Sequence, residues 1–531
     1  MRLRLTQLTI AQFMAAAGLL YAATVFVVFP FWTVDDAFIT FRYATHLADH
    51  GELTWNIGET PPVEGYTGIA LPVILAGART LGLPLVGTAR ALGVVSFFLG
   101  WFLLFRIMRQ LGIRPLVIGF VSLLYSTLPV LFTHATSGLE TLLFMAAILL
   151  SLYLFLLQGG SRSFFLSLLL TSLIRPEGVL LSLCLGTAAF HDAFHSGRAA
   201  VRRFCGDALF CYFVPALAYF VWRVWYYGKL LPNTFYVKGP VGLNYEGLLE
   251  LFSSVATFFF IPVCMCVIVA CAVAFRRATP ASTDTPVHPR LKSGCVAALA
   301  FMSVLALFLI SSDLMMNYSA RFSVPFFPFL WLGIALFLHA GVSRLWEHRG
   351  VKTPSHIARI LLLLFCASLQ LMANLFSLSA EWRFVTDLQA IHESEHYAVG
   401  KWLKEHVAQG TLLTVYIDAG AIPFISELPT VDFGRLNDAF LADRRLPLER
   451  RVDYFFEKRP GVVVFTSMDA RTLRYTPEFF KRGGVATDEE AAAIIRDPRF
   501  AEFVLMGKFF SPTERIPYHQ FVYLRKEIGF Q

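Results

Sequence analysis

Charge is scarce in this sequence. Only 15% of its residues are Asp, Glu, Lys or Arg, against about 25% in an ordinary soluble domain. Hydrophobic residues make up 56%, with 52 Phe among 531 residues. A chain so poor in polar side chains cannot coat a water-soluble globule of this size. Its apolar runs reach the roughly 20 residues needed to cross a bilayer. The formal charge of +8 does not indicate a nucleic-acid partner, because the basic residues sit in short clusters between apolar runs. Cysteine is absent after residue 380: all eight Cys, from Cys184 to Cys366, lie in or beside apolar segments. The polar tail therefore has no internal disulfide. Cys264-Met-Cys266 has no metal-ligand spacing and reads as small buried side chains. Internal repeats and low-complexity segments are missing too, and Thr279–Arg290 is the one stretch of disordered character.

What is present is a series of spans. Apolar segments lie near 8–30, 86–108, 115–133, 141–158, 163–174, 179–191, 208–227, 252–275, 294–312, 323–341 and 357–378, about eleven in all. The first is too long for a signal-peptide core and has no A-x-A cleavage site, so it reads as a retained span. The fifth and sixth are short and flank Arg175-Pro176-Glu177-Gly178, as two half-helices or one hairpin. With the N-terminus cytoplasmic, Arg106, Arg109, Arg114, Arg198, Arg202, Arg203, Arg276 and Arg277 fall on inner segments. Asp35, Asp36, Asp49, Glu52, Glu59, Glu64, Glu140 and Glu177 then fall on outer ones. An odd number of spans puts the tail outside as well. Within the tail, Lys401–Val407 has a helical pattern, and Thr411–Ile417, Gly461–Phe465, Phe503–Lys508 and Phe521–Leu524 read as strands. The predicted architecture is a polytopic α-helical membrane protein. Residues 1–379 form the membrane domain, with a first outer loop at 31–68, and 380–531 a C-terminal extracytoplasmic α/β domain.

The outer segments carry the chemistry. Asp35 and Asp36 stand at the exit of the first span. One carboxylate there can accept a proton while the other orients it or holds a cation. The structural alternative is that both are first-turn acids of the helix that follows. Arg42, seven residues on, shares the helical face of Asp35 and can pair with it or with a phosphate. Glu64 and Tyr66 belong to a Gly-punctuated, aromatic and amide-rich stretch suited to sugar binding, or to an interfacial aromatic belt. His134 and Glu140 follow the third span. Arg175 and Glu177, at membrane depth, require pairing or a polar cavity, unless they mark a hairpin turn. Asn233 and Lys238 follow the seventh span and Arg321 the ninth; Lys238 and Arg321 suit an anionic headgroup, or snorkel to the interface. This set suits an enzyme that takes a sugar from a lipid phosphate. A base deprotonates the acceptor hydroxyl and cations stabilise the departing phosphate.

The stretch VDDAFITFRYATHLADHGELTWNIGE…VEGYTG resembles the first loop of GT-C glycosyltransferases, most specifically the AftB-like arabinofuranosyltransferase group. Further segments match in order: ATSGLET at 135–141, RPEG at 175–178, YGKLLPNTFYVK at 227–238, Arg321-Phe322, and YIDAGAIPFIS…VDFGRLND at 416–438. The chain departs from that pattern at SSDLMMNYSARF, 311–322, which bears on Asp313. The resemblance implies transfer of a sugar, arabinofuranose or another pentose, from a polyprenyl-phosphate donor to a glycan, lipid or protein acceptor. It implies a bacterial inner membrane, a periplasmic site, and a catalytic carboxylate at Asp35 or Asp36, which the sequence does not separate. The cofactor question stays open: the outer acids can hold a divalent cation, and Arg and Lys can also assist phosphate departure alone. Two other readings compete. A flippase or transporter would show matching interrupted helices in two halves, and none is found. A non-catalytic glycan-binding subunit would have no need of Asp35 and Asp36.

Overall fold

A computed structural model describes residues 2–239, 242, 245–275, 288–312, 317–347, 356–471, 473, 487–513 and 515–528. Asp313 and most of Thr279–Arg290 lie outside the described residues. The first helix, α1 (Arg2–Val28), ends just before Pro30, and the chain resumes as α2 (Asp35–His50) after an extended Val34. Asp35 and Asp36 sit in the first turn of α2, where carboxylates favour the helix dipole. Gly51, with φ of +72°, closes α2 in the left-handed conformation that glycine adopts without strain. Then come α3 (Ala70–Thr80), α4 (Leu85–Gln110), α5 (Pro115–Thr127), α6 (Pro129–Thr136) and α7 (Thr141–Gln158). Pro129 forces Leu128 out of helical geometry, and α5 and α6 meet at a 50° bend. Pro176 acts the same way on Arg175, which is extended between α8 (Arg162–Ile174) and α9 (Glu177–His195).

Next, α10 (Arg198–Ala208) runs through a π turn, Leu209–Phe213, into α11 (Val214–Tyr227). The short α12 (Asn233–Lys238), α13 (Tyr245–Phe275), α14 (Leu291–Ser311), a 3-10 segment Tyr318–Phe326 and α15 (Phe327–Glu347) follow. Every expected span falls on a helix. Among the described residues seven helices are long and apolar enough to cross a membrane, and the bent α5–α6 pair makes eight. The expectation of about eleven also counted α8, α9 and the start of α16 (His356–Ile391); α8 is a shorter apolar helix of 13 residues. The bundle packs closely where residues are small: α1 lies along α5, and a Cβ on Gly119 would sit 2.7 Å from the Ala11 Cα.

Helix α16 is 36 residues long, about 54 Å at 1.5 Å per residue. It leaves the bundle and continues through a π turn, His392–His396, into α17 (Tyr397–His406). The tail then forms β1 (Leu413–Tyr416), α18 (Ala421–Ser426), β2 (Thr430–Asp432), α19 (Leu448–Lys458), β3 (Val462–Ser467), a helix at Thr487–Arg496, β4 (Phe503–Phe509) and β5 (His519–Arg525). The sheet order is β2-β1-β3-β5-β4, with β1 parallel to β2 and β3, and β5 antiparallel to β3 and β4. Period-two alternation splits β3 between two cores. Val463 and Phe465 join Phe455, Ile494 and Phe500 on one face. Val462 and Val464 join Val399, Leu403 and Ile422 on the other, together with Ile39, Tyr43, Trp55 and Tyr66 of the first loop. The tail is thus packed against the first loop through one continuous apolar core.

Candidate active site

A cavity, open on one side, lies at that junction. Asp36 and Thr40 of α2, Gly65–Gly68, Leu71 and Glu140 line it, with Thr234 and Lys238 of α12, Arg321, and Leu436 from the tail. Asp36, Tyr66, Glu140, Lys238 and Arg321, all named from sequence, come together here.

Charge alternates away from Asp36. The Arg321 guanidinium lies 3.7 Å from Asp36 Oδ2 and 3.7 Å from Glu140 Oε1. Arg175 reaches the same Glu140 oxygen at 3.2 Å and Glu177 at 2.9 Å. Burial opposes the charge on Arg175, but Glu177 and Glu140 outweigh it and hold its pKa above the ordinary arginine value. Arg175 and Glu177 therefore do not line the cavity; they fix Glu140. Among the described residues, Glu140 is engaged by two guanidinium groups, whereas Asp36 has only the long contact to Arg321. Arg321 itself is buried, and its Nε has no hydrogen-bond partner among the described residues. A buried unpaired donor costs about 1–3 kcal/mol, a cost that an anion oxygen in the cavity would remove.

Arg321 is presented by strained backbone. Ser319 and Ala320 have φ of +45° and +54°, left-handed values that cost non-glycine residues about 1–3 kcal/mol each. The turn is fastened on both sides. The Ser319 carbonyl lies 3.0 Å from His134 Nε2, and the Ser319 hydroxyl donates to Glu381 at 2.8 Å. Thr133 donates to the same Glu381 oxygen at 2.7 Å. Burial pushes the Glu381 pKa up, and the two hydroxyl donors pull it back. Sequence reasoning missed Glu381; its signal was a carboxylate directly after the last apolar run. His134, named from sequence, serves this turn and is not among the cavity-lining residues.

Four other expected residues point elsewhere, and each is taken up by a partner distant in sequence. The Asp35 carboxylate accepts the backbone N–H groups of Gly420 and Ala421 at 2.9 and 2.8 Å. Burial pushes its pKa up to about 6 against the pull of His396. Arg42 does not pair with Asp35. Its guanidinium donates to the carbonyls of Trp55, Pro423 and Leu428 at 2.8, 2.7 and 2.9 Å, and burial lowers its pKa to about 10. Glu64 is buried in an ion pair with Arg223. Asn233 donates to the carbonyls of Arg435, Leu436 and Asp438 at 3.0–3.1 Å, holding the tail loop that carries Leu436 over the cavity. Tyr66 meets Tyr227 at 3.0 Å between hydroxyls while lining the cavity. Among the described residues no group of three or more His, Cys, Asp or Glu is arranged to hold a metal ion. The carboxylates at the cavity are Asp36 and Glu140, both facing Arg321.

Comparison of whole structures places this architecture. ArnT from Cupriavidus metallidurans bound to undecaprenyl phosphate superposes with a TM-score of 0.58 at 13% identity, over 98% of this chain and 99% of that one. The same protein in the apo state gives 0.54 at 13% identity, over 96% and 97%. The fold is GT-C-like. A family model described as a domain of unknown function (DUF8728) matches residues 386–521, from the end of α16 into β5. No curated protein matches the sequence significantly.

Proposed function

We propose that this protein is a membrane glycosyltransferase that takes a sugar from a polyprenyl-phosphate donor and passes it to an acceptor hydroxyl. The observation that carries the reading is one cavity bearing a lightly engaged carboxylate, Asp36, beside Arg321 and Lys238. Asp36 removes the proton from the acceptor hydroxyl. The acceptor oxygen bonds to C-1 of the sugar as the C-1–O bond to phosphate breaks, and Arg321 and Lys238 take up the charge on the leaving phosphate. That ArnT, a protein of similar fold, is seen bound to undecaprenyl phosphate supports a polyprenyl-phosphate donor. The motif resemblance supports a pentose, arabinofuranose first, and a glycan, lipid or protein acceptor. The positive-inside pattern supports an extracytoplasmic site with the tail on the same side, and the motif resemblance supports a bacterial inner membrane. The test is purified protein in liposomes, supplied with polyprenyl-phosphate pentoses and hexoses, with product linkage read by NMR. Transfer from at least one donor that is lost in Asp36→Asn is expected. Donor translocation without transfer, or glycan binding without turnover from any donor, would overturn it.

A further inference from the structure

Asp35 and Asp36 are adjacent on α2, so their side chains leave the helix about 100° apart. Asp36 faces the cavity; Asp35 faces the tail. Each Asp35 oxygen accepts one backbone N–H, from Gly420 and Ala421. The fit is tight: a Cβ on Gly420 would lie 2.0 Å from the Asp35 carbonyl oxygen and 2.5 Å from Oδ2. Two turns further along α2, Arg42 is bound to Pro423 and Leu428 of the same tail segment. The helix is therefore fastened to the tail at two points, and its rotation about its own axis is set from there. Behind Asp35 stands a buried group of titratable residues. Asp418 lies 3.4 Å from His396 and accepts from Tyr518, Gln520 and Thr466 at 2.6–2.7 Å. Glu395, His392 and Tyr397 complete the surroundings on the π turn and α17, with Asp36 on α2 itself.

We propose that Asp35 is a positioning residue: it uses the N–H groups of Gly420 and Ala421 to set the rotation of α2, and so aims the Asp36 carboxylate into the cavity. This rests on the reading of Asp36 as the base. The C-terminal domain then contributes to the reaction rate through α2, besides covering the cavity with Leu436.

The test compares Gly420→Ala, Asp35→Asn and Asp36→Asn in the full chain, reconstituted in nanodiscs, by sugar transfer and by binding of undecaprenyl phosphate alone. A misplacement near 1 Å costs on the order of a hundredfold in rate. Gly420→Ala, which removes no polar group, is expected to lower kcat roughly tenfold to a hundredfold while its Kd for undecaprenyl phosphate stays within about twofold of wild type. Asp35→Asn keeps one acceptor oxygen and is expected to lose less, with its pH–rate profile missing the ionisation near 6 that burial gives Asp35. A merely structural role would lower the folded fraction and leave kcat per folded molecule and the pH profile unchanged. Where Gly420→Ala does not fold, Asp35→Asn decides. Wild-type kcat in these two variants, with Asp36→Asn inactive, overturns the positioning role and leaves the base assignment standing. Wild-type kcat in Asp36→Asn overturns the base assignment itself.

Discussion

With Asp36 as the proposed base, Asp36→Asn separates chemistry from binding. General-base catalysis contributes about 10²–10⁴ in rate, or roughly 3–5 kcal/mol of activation free energy. The amide has nearly the shape of the carboxylate, and the Asp36 side chain is only 18% exposed, so the cavity keeps its volume. The local charge does change. Arg321 loses a carboxylate at 3.7 Å, while Glu140 remains beside it at the same distance. The cavity becomes one unit more positive, which favours an anionic phosphate. The variant should therefore lose about 10³ in kcat and bind undecaprenyl phosphate as tightly as the parent, or more tightly. Single-turnover transfer in liposomes gives the first quantity, and titration monitored by tryptophan fluorescence gives the second. A variant within tenfold of the parent rate, or one that loses rate and phosphate affinity together, would refute the assignment of Asp36 as base rather than ligand.

Other perturbations have different signatures. Glu140→Gln removes the shared partner of two buried arginines, Arg175 and Arg321; a loss of about 3–5 kcal/mol is expected, read as a lower melting temperature. Ala320→Gly should stabilise the protein by about 1 kcal/mol, because glycine adopts the left-handed turn without a Cβ clash; Ala320→Val should destabilise it and weaken undecaprenyl phosphate binding. Between pH 7 and 9 the melting temperature should fall. Burial pushes Glu395 up to about 9, and Asp418 holds His396 up at about 9 against burial. Over that window the folded state keeps two protons that the unfolded chain has released, so stability declines as pH rises through 9. Glu395→Gln should flatten the decline.

The helices were legible because apolar runs of span length leave little choice of structure. Four of the five strands were legible for a similar reason, as short runs of Val, Phe and Leu. Strand β2 was not: Thr430–Asp432 has three residues after Pro429, and only pairing with β1 makes it a strand. The site was legible as a set of residue types and much less as a set of roles. The two aspartates are neighbours in sequence and differ only in what each faces. What Asp35 faces is supplied by residues 420–421, some 385 positions away. Arg42, Glu64 and Asn233 had the right chemistry for a phosphate or sugar, yet their partners Pro423, Arg223 and Leu436 use that chemistry inside the protein. Local spacing carries no record of such long-range pairing. Glu381 escaped notice for the complementary reason, since its role exists only once a strained turn 62 residues earlier lies against it.

The apolar core shared by the first loop and the sheet has a consequence for how this protein can be rebuilt. The face of β3 that holds Val462 and Val464 is completed by Ile39, Tyr43 and Trp55. A tail cut free near residue 397 would carry that face bare into water, and a membrane bundle left without it would expose the other half of the same contact. The C-terminal domain is therefore not an interchangeable cartridge. A chimaera that exchanges the tail between proteins of this fold must carry residues 31–68 together with it, as one grafted unit.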